Sequence, residues 1–233
     1  MTPDPGKTPQ LPLALRYPPD QRFESFHAAP PGALAQLRAL AAGEGETLYL
    51  WGPAGVGKSH LALACCAAAE AHGLRVAYVP VAAAEGRLRD ALEALDAGLV
   101  ALDGLEAIAG RREDEVALFD FHNRARAAGM ALLYTAVAGP DALGLQLPDL
   151  QSRLSQCPRI GLALLDDDGR RGVLLERARR RGLVLEAAAL EWLLRRAGRD
   201  LAGLTRLLDR LDQASLAAQR RVTVPFLREV LGG

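Results

Sequence analysis

The sequence predicts an α/β fold, a parallel sheet flanked by helices and followed by a small all-helical domain. Three observations carry that expectation. Short apolar runs alternate with helical stretches of about 10 to 15 residues as far as residue 165. A glycine-rich turn links the first of these runs to the first long helix, and beyond Asp166 only helical periodicity remains.

Taken in order, Met1 to about Asp20 holds six prolines and little periodicity, the signature of a flexible tail, which extends to residue 22. Leucines at 34, 37 and 40, between Gly32 and Ala42, mark a short helix. Thr47 to Trp51 is an apolar strand, and Ser59 to His72 an Ala/Leu helix stopped by Gly73. Arg75 to Val81 is a second strand, Glu85 to Asp96 a helix, and Leu99 to Asp103 a third strand. Glu113 to Ala128 is a helix ended by Gly129; Ala131 to Thr135 is a fourth strand, Pro148 to Gln156 a short helical turn, and Arg159 to Leu165 a fifth strand. Residues 23–165 thus form one domain. Residues 166–233 form a second, with helices expected over Asp167 to Arg181, Glu186 to Ala197, Asp200 to Gln219 and Val224 to Leu231.

Composition narrows the function classes. The 233 residues carry 28 basic and 28 acidic side chains, so no whole-protein field draws the chain to nucleic acid or a membrane. The helical part is mildly basic, which reads first as a solvated arginine-rich face. Cys65, Cys66 and Cys157 show no metal or disulfide spacing, which suits a reducing cytoplasm. The first residues lack an export signal, and no apolar run reaches the roughly 18 residues of a membrane span. Nearly all the basic residues are arginine; lysine occurs only at Lys7 and Lys58. A chain so biased keeps lysine where arginine would not serve.

Lys58 lies in Gly52-Pro53-Ala54-Gly55-Val56-Gly57-Lys58-Ser59, which matches GxxxxGK[ST] at every required position, after a strand and opening a helix. Glycines let backbone N–H groups turn inward around phosphates, the helix adds its positive end, and Lys58 places a compact ammonium at the β/γ-phosphates. Ser59 offers a hydroxyl to Mg²⁺. Asp103, ending the third strand, is the expected acidic element reaching Mg²⁺ through water. Many P-loop ATPases place a second acid directly after it; here that position is Gly104, and Glu106 two residues on need not point the same way. Binding is therefore better supported than hydrolysis.

Phe23 to Phe26, GPAGVGKSHLALA (52–64), LVALDGLEAIAG (99–110), ALLYT (131–135), LPDLQSRL (147–154) and RVTVPFLREVL (221–231) together resemble the DnaA-related AAA+ family, most nearly its short regulatory members. The resemblance runs from Gln10 to Leu231. It implies an AAA+ body with a helical lid, an ATP or ADP site formed by Gly52 to Ser59 with His60, Mg²⁺ on Ser59 and Asp103, and a sensor group at Thr135. It places Arg153 as an arginine finger acting in a neighbouring subunit's site. Gln10-Leu11-Pro12-Leu13-Ala14-Leu15 fits the family's QLxLxL element, in which Gln10, Leu11, Leu13 and Leu15 dock on the sliding clamp, the β subunit of DNA polymerase III. Ala202 departs from the arginine of the second sensor, with Arg206 a turn later as candidate substitute.

The resemblance implies a cytoplasmic regulator of replication initiation, nucleoid-associated through the clamp. It would stimulate hydrolysis of ATP held by the initiator DnaA and so prevent re-initiation, reaching DNA only indirectly, with no membrane partner and with homo-oligomerisation left open. The initiator's DNA-reading domain is not expected, since the sequence stops just after the last helix. A self-sufficient AAA+ ATPase of helicase-loader or initiator type is the alternative, and a small-molecule P-loop kinase would explain neither lid nor tail.

Overall fold

Alternation of side chains along each strand sets the architecture. In the computed structural model, which describes residues 21–26, 29–196, 203, 207–208, 210–211, 214 and 222–231, five strands form one sheet. They are β1 (Thr47–Trp51), β2 (Val76–Pro80), β3 (Leu99–Asp103), β4 (Ala131–Ala136) and β5 (Arg159–Gly161), in the order β2-β3-β4-β1-β5. Every pairing is parallel. Leu48, Leu50, Leu99, Ala101 and Leu133 face the side covered by α1 (Ala33–Ala41) and α2 (Lys58–Ala71). Their neighbours Tyr49, Val100, Leu102, Leu132 and Tyr134 face the side covered by α3 (Leu88–Glu93), α4 (Arg112–Ala127) and α5 (Pro148–Ser155). Burial on both faces explains why the strands read as continuous apolar runs.

Among the described residues the sheet and helices appear where the sequence expects them, with two shortened elements, while most of the helix expected over Asp200 to Gln219 lies outside the described residues. α3 covers only Leu88–Glu93 of the expected Glu85 to Asp96. Gly86 takes φ +73°, outside the helical range, and its N–H donates to Asp114 Oδ2 at 2.9 Å. β5 stops at Gly161 rather than Leu165 because its partner β1 ends at Trp51; Leu162 makes one more bond, its N–H to Trp51 O at 2.7 Å, before the neighbour turns away.

The lid has its own apolar core. α6 (Asp167–Arg180) starts at Asp166, whose carboxylate accepts from Gly169 N at 2.7 Å. Leu174 and Ala178 pack with Leu190 and Leu193 of α7 (Ala187–Arg196), with Leu208 and Leu211, and with Phe226 and Leu227 of the last helix, Val224–Leu231. A bridge pairs Leu185 with Val222. Lid arginines find acids nearby: Arg179 and Arg180 share Glu176, and Arg171 pairs with Glu191. Among the described residues no helix is long and apolar enough to cross a membrane. The expected clamp element Gln10, Leu11, Leu13 and Leu15, together with Ala202 and Arg206, lies outside the described residues.

Candidate functional site

Because β1 ends at Trp51 and α2 begins at Lys58, residues 52–57 form the loop between them. Its glycines answer two demands. A Cβ at Gly52 would stand 2.2 Å from Leu162 O, and one at Gly57, which has φ +99°, would stand 2.6 Å from the Phe26 ring. Gly55 takes φ +79°. Neighbouring protein atoms, as well as the turn itself, therefore require the absence of side chains. Val56 is buried in the core and pins the loop. Gly57 gives α2 no side-chain cap, and no acid lies in the first turn, so the helix start keeps its positive character.

Lys58 curls over this loop. Its ammonium donates to Gly52 O at 2.7 Å and Pro53 O at 2.9 Å, and the side chain is buried. Burial pushes the ammonium below its ordinary pKa, while the charges of Glu106 and then Asp103 push it up. His60, the next expected site residue but one, is buried too. Its Nε2 lies 3.0 Å from Arg22 O and 3.3 Å from Ser25 Oγ, and its ring meets Phe26 edge-on. In this position His60 fastens residues 22–26 to the start of α2.

The carboxyl ends of β3 and β4 supply the second half of the site. Sheet register places Asp103 directly beside Thr135. The Thr135 hydroxyl donates to Asp103 Oδ1 and accepts from Gly104 N at 2.9 Å. On the other oxygen, Tyr78 donates to Asp103 Oδ2 at 2.6 Å. Burial, then the Asp103 charge, raises the Tyr78 phenol well above its ordinary pKa. Tyr78 thus braces Asp103, one of the two expected Mg²⁺ ligands, from the neighbouring strand. A hydroxyl and a carboxylate are hard oxygen donors that suit Mg²⁺, and the side-chain-free loop with its lysine suits a polyphosphate.

Tyr78 is a residue the sequence reading missed. Nothing in the run Arg75 to Val81 distinguishes it; its role depends on the β2–β3 register, which sets Tyr78 opposite Ala101, two residues before Asp103. Glu115 was missed for the same reason. Fully buried on α4, it accepts from Gly110 N at 2.8 Å, Gln146 N at 2.9 Å and Leu147 N at 2.7 Å. It thereby ties the segment after β3 to the entry of α5. That helix is anchored in the core by Leu150 and Leu154, and Arg153 stands half-buried between them. Among the described residues no hydrogen bond or ion pair joins Arg153 to Lys58, Ser59, Asp103 or Thr135; its backbone oxygen accepts from Cys157 Sγ at 3.4 Å.

Comparison with known proteins places these features. Residues 10–127 match the family of IstB-like ATP-binding proteins. Residues 167–231 match the lid domain of Hda. Domain III of the Thermotoga maritima replication initiation protein DnaA is similar over 92% of this chain and 97% of its own, with 20% identity and a TM-score of 0.76. AMPPCP-bound DnaA from Aquifex aeolicus is similar at 20% identity over 86% of this chain and 67% of its own, with a TM-score of 0.69. The Thermotoga maritima RuvB Holliday junction branch migration motor shares 16% identity over 91% of this chain and 71% of its own, with a TM-score of 0.67. At such identities the likeness fixes the fold alone: a body with the fold of DnaA domain III, followed by a helical lid.

Proposed function

The chain belongs to the family of IstB-like ATP-binding proteins, and from that premise we propose that it is a nucleotide-bound, DnaA-related regulator of chromosomal replication initiation, similar to Hda. Its own site, formed by Gly52 to Ser59 with Asp103 and Thr135, holds ADP or ATP with Mg²⁺ on Ser59 and Asp103. The bound metal nucleotide supplies a compact polyphosphate charge against which Lys58 and the α2 N-terminus orient the body. Arg153 acts in trans, entering the nucleotide site of the initiator DnaA and stabilising charge on the phosphoryl group as its ATP is hydrolysed. Residues Gln10, Leu11, Leu13 and Leu15 dock on the sliding clamp, so that this happens on DNA already replicated and re-initiation is prevented.

One observation carries the reading: an Hda-type lid at residues 167–231 stands behind a complete phosphate loop. The half-buried position of Arg153 on an anchored helix supports the finger role, because a finger must be held stiffly yet reach a partner. A reconstitution of this protein, clamp-loaded DNA and ATP-bound DnaA tests it. Arg153→Ala should retain clamp binding while stimulated hydrolysis falls by about 10³ or more; undiminished stimulation removes the finger. Replacing Gln10 and Leu11 with Ala should abolish retention on immobilised clamp, and normal retention removes the docking element. A self-sufficient AAA+ ATPase of helicase-loader or initiator type is the second reading. It is favoured by the position of Glu106, whose charge acts on Lys58.

A further inference from the structure

Gly104 leaves the nucleotide site without the acid that commonly follows the first, and the backbone there compensates. It takes φ +88°, which turns the chain at once into the short helical turn Leu105–Ala107, closed by Ala107 N donating to Gly104 O at 3.1 Å. The turn brings Glu106 back towards its own starting point. A Cβ built on Gly104 would have Glu106 Oε1 at 3.9 Å and the Glu106 carboxyl carbon at 4.0 Å as its nearest neighbours. The carboxylate of Glu106 therefore lies in van der Waals contact with the place where a side chain at 104 would begin.

The carboxylate is also held there. Its Oε2 accepts from Val137 N at 3.1 Å. The segment carrying Val137 is fixed on both sides, by Gly52 N donating to Ala136 O at 3.1 Å and by the Tyr49 hydroxyl donating to Ala138 O at 2.9 Å. Glu106 is solvent-exposed, so its second oxygen is open to water. Lys58, whose counterpart in phosphate loops reaches the β/γ-phosphates, feels the Glu106 charge ahead of that of Asp103.

We propose that Glu106 is the second carboxylate of this nucleotide site and accepts the proton of the water that attacks the terminal phosphate of ATP. The proposal rests on the reading of residues 52–59 and 103 as a nucleotide site. In the step, the water oxygen bonds to the γ-phosphorus and the bond from that phosphorus to the β–γ bridging oxygen breaks. ADP leaves with the electron pair, and the water proton passes to Glu106, which then releases it to solvent. The chain thus keeps a hydrolytic site of its own, built from a residue two positions displaced.

The test uses the full chain, Glu106→Gln, and the double variant Gly104→Asp/Glu106→Gln; aspartate tolerates the positive φ at 104 better than most side chains. Nucleotide affinity is titrated with ADP and with a non-hydrolysable β,γ-methylene ATP analogue, and hydrolysis is followed in single turnover. Glu106→Gln should slow hydrolysis by about 10²-fold or more and leave ADP affinity unchanged. It should also tighten the analogue relative to ADP by roughly threefold, since a negative charge near the terminal phosphate is gone. The double variant should recover part of the lost rate. Wild-type hydrolysis in Glu106→Gln, an unchanged ratio of the two affinities, or a wild-type chain that binds ATP but never hydrolyses it overturns the proposal alone. A wild-type chain that binds neither nucleotide overturns the nucleotide site as well.

Discussion

The α/β body and the helical lid are stabilised in different ways. Two apolar layers enclose the body's sheet, and buried polar groups are set among them: Asp114 and Glu115 at the start of α4, and His122 against the Tyr134 hydroxyl at 2.9 Å. The lid has one smaller apolar core, and most of its ion pairs lie at the surface. Buried carboxylates that accept several backbone N–H groups fix loops in one geometry, because each donor would otherwise be orphaned. Exposed arginine pairs impose no such constraint. The body is built to hold loops in place, and the lid around its own apolar core. One polar link between them, Arg180 to Glu24 O at 2.6 Å, is exposed.

The largest effect expected in the body is at Glu115. Glu115→Ala would leave three part-buried backbone donors without their buried acceptor and should lower stability by roughly 2 to 4 kcal/mol, read from the denaturant midpoint; a loss below about 1 kcal/mol would break the contrast drawn above. In the lid the comparable change is apolar. Leu193→Ala, at a fully buried position, should cost about 2 to 4 kcal/mol by opening a cavity, while the separate core of the body leaves its fold intact. Far-ultraviolet dichroism should show loss confined to helix.

A third effect depends on pH. Burial, then the charges of Arg126 and Arg153, depress His122 to about 4, and its Nε2 has no hydrogen-bond partner among the described residues. Between pH 4 and 6.5 the unfolded chain binds a proton at this site that the folded chain does not, so folding stability rises with pH across that window. The gain should be about 2 to 3 kcal/mol, and the slope should flatten in His122→Asn. Melting curves at pH 4.5 and 7 decide it. The smallest effect is in the lid: Arg179 and Arg180 hold Glu176 down to about 2, yet this carboxylate is on the surface. Glu176→Gln should leave the melting midpoint unchanged within error; a clear drop would mean that lid ion pairs act more like those of the body.

Much of this was legible in the residues themselves. The phosphate loop is a contiguous motif whose chemistry is local, so Gly52 to Ser59 could be recognised without any fold. Each strand of the sheet was visible as an apolar run. Shortening of α3 and β5 was not, because helix length there is decided by a contact from Asp114 and strand length by where β1 ends. His60 shows the same limit within the motif. The resemblance counts it with the nucleotide site, and that its side chain reaches Arg22 and Ser25 is visible only in the fold.

The sequence by itself determined the alternation of strands and helices, the loop that opens α2, the acid that ends β3 and the switch to helices after Asp166. All of these are written in neighbours along the chain, where periodicity and turn chemistry act. Only the tertiary structure decided that β4 lies between β1 and β3, which sets Thr135 against Asp103. It also decided that Tyr78 braces Asp103, that Glu115 binds two loops together and that Glu106 comes to lie beside Gly104. The physical reason is common to all four. Each depends on register or on a turn that brings together groups remote in sequence or facing apart along it, and hydrogen bonds act over a few ångströms of space whatever the separation along the chain.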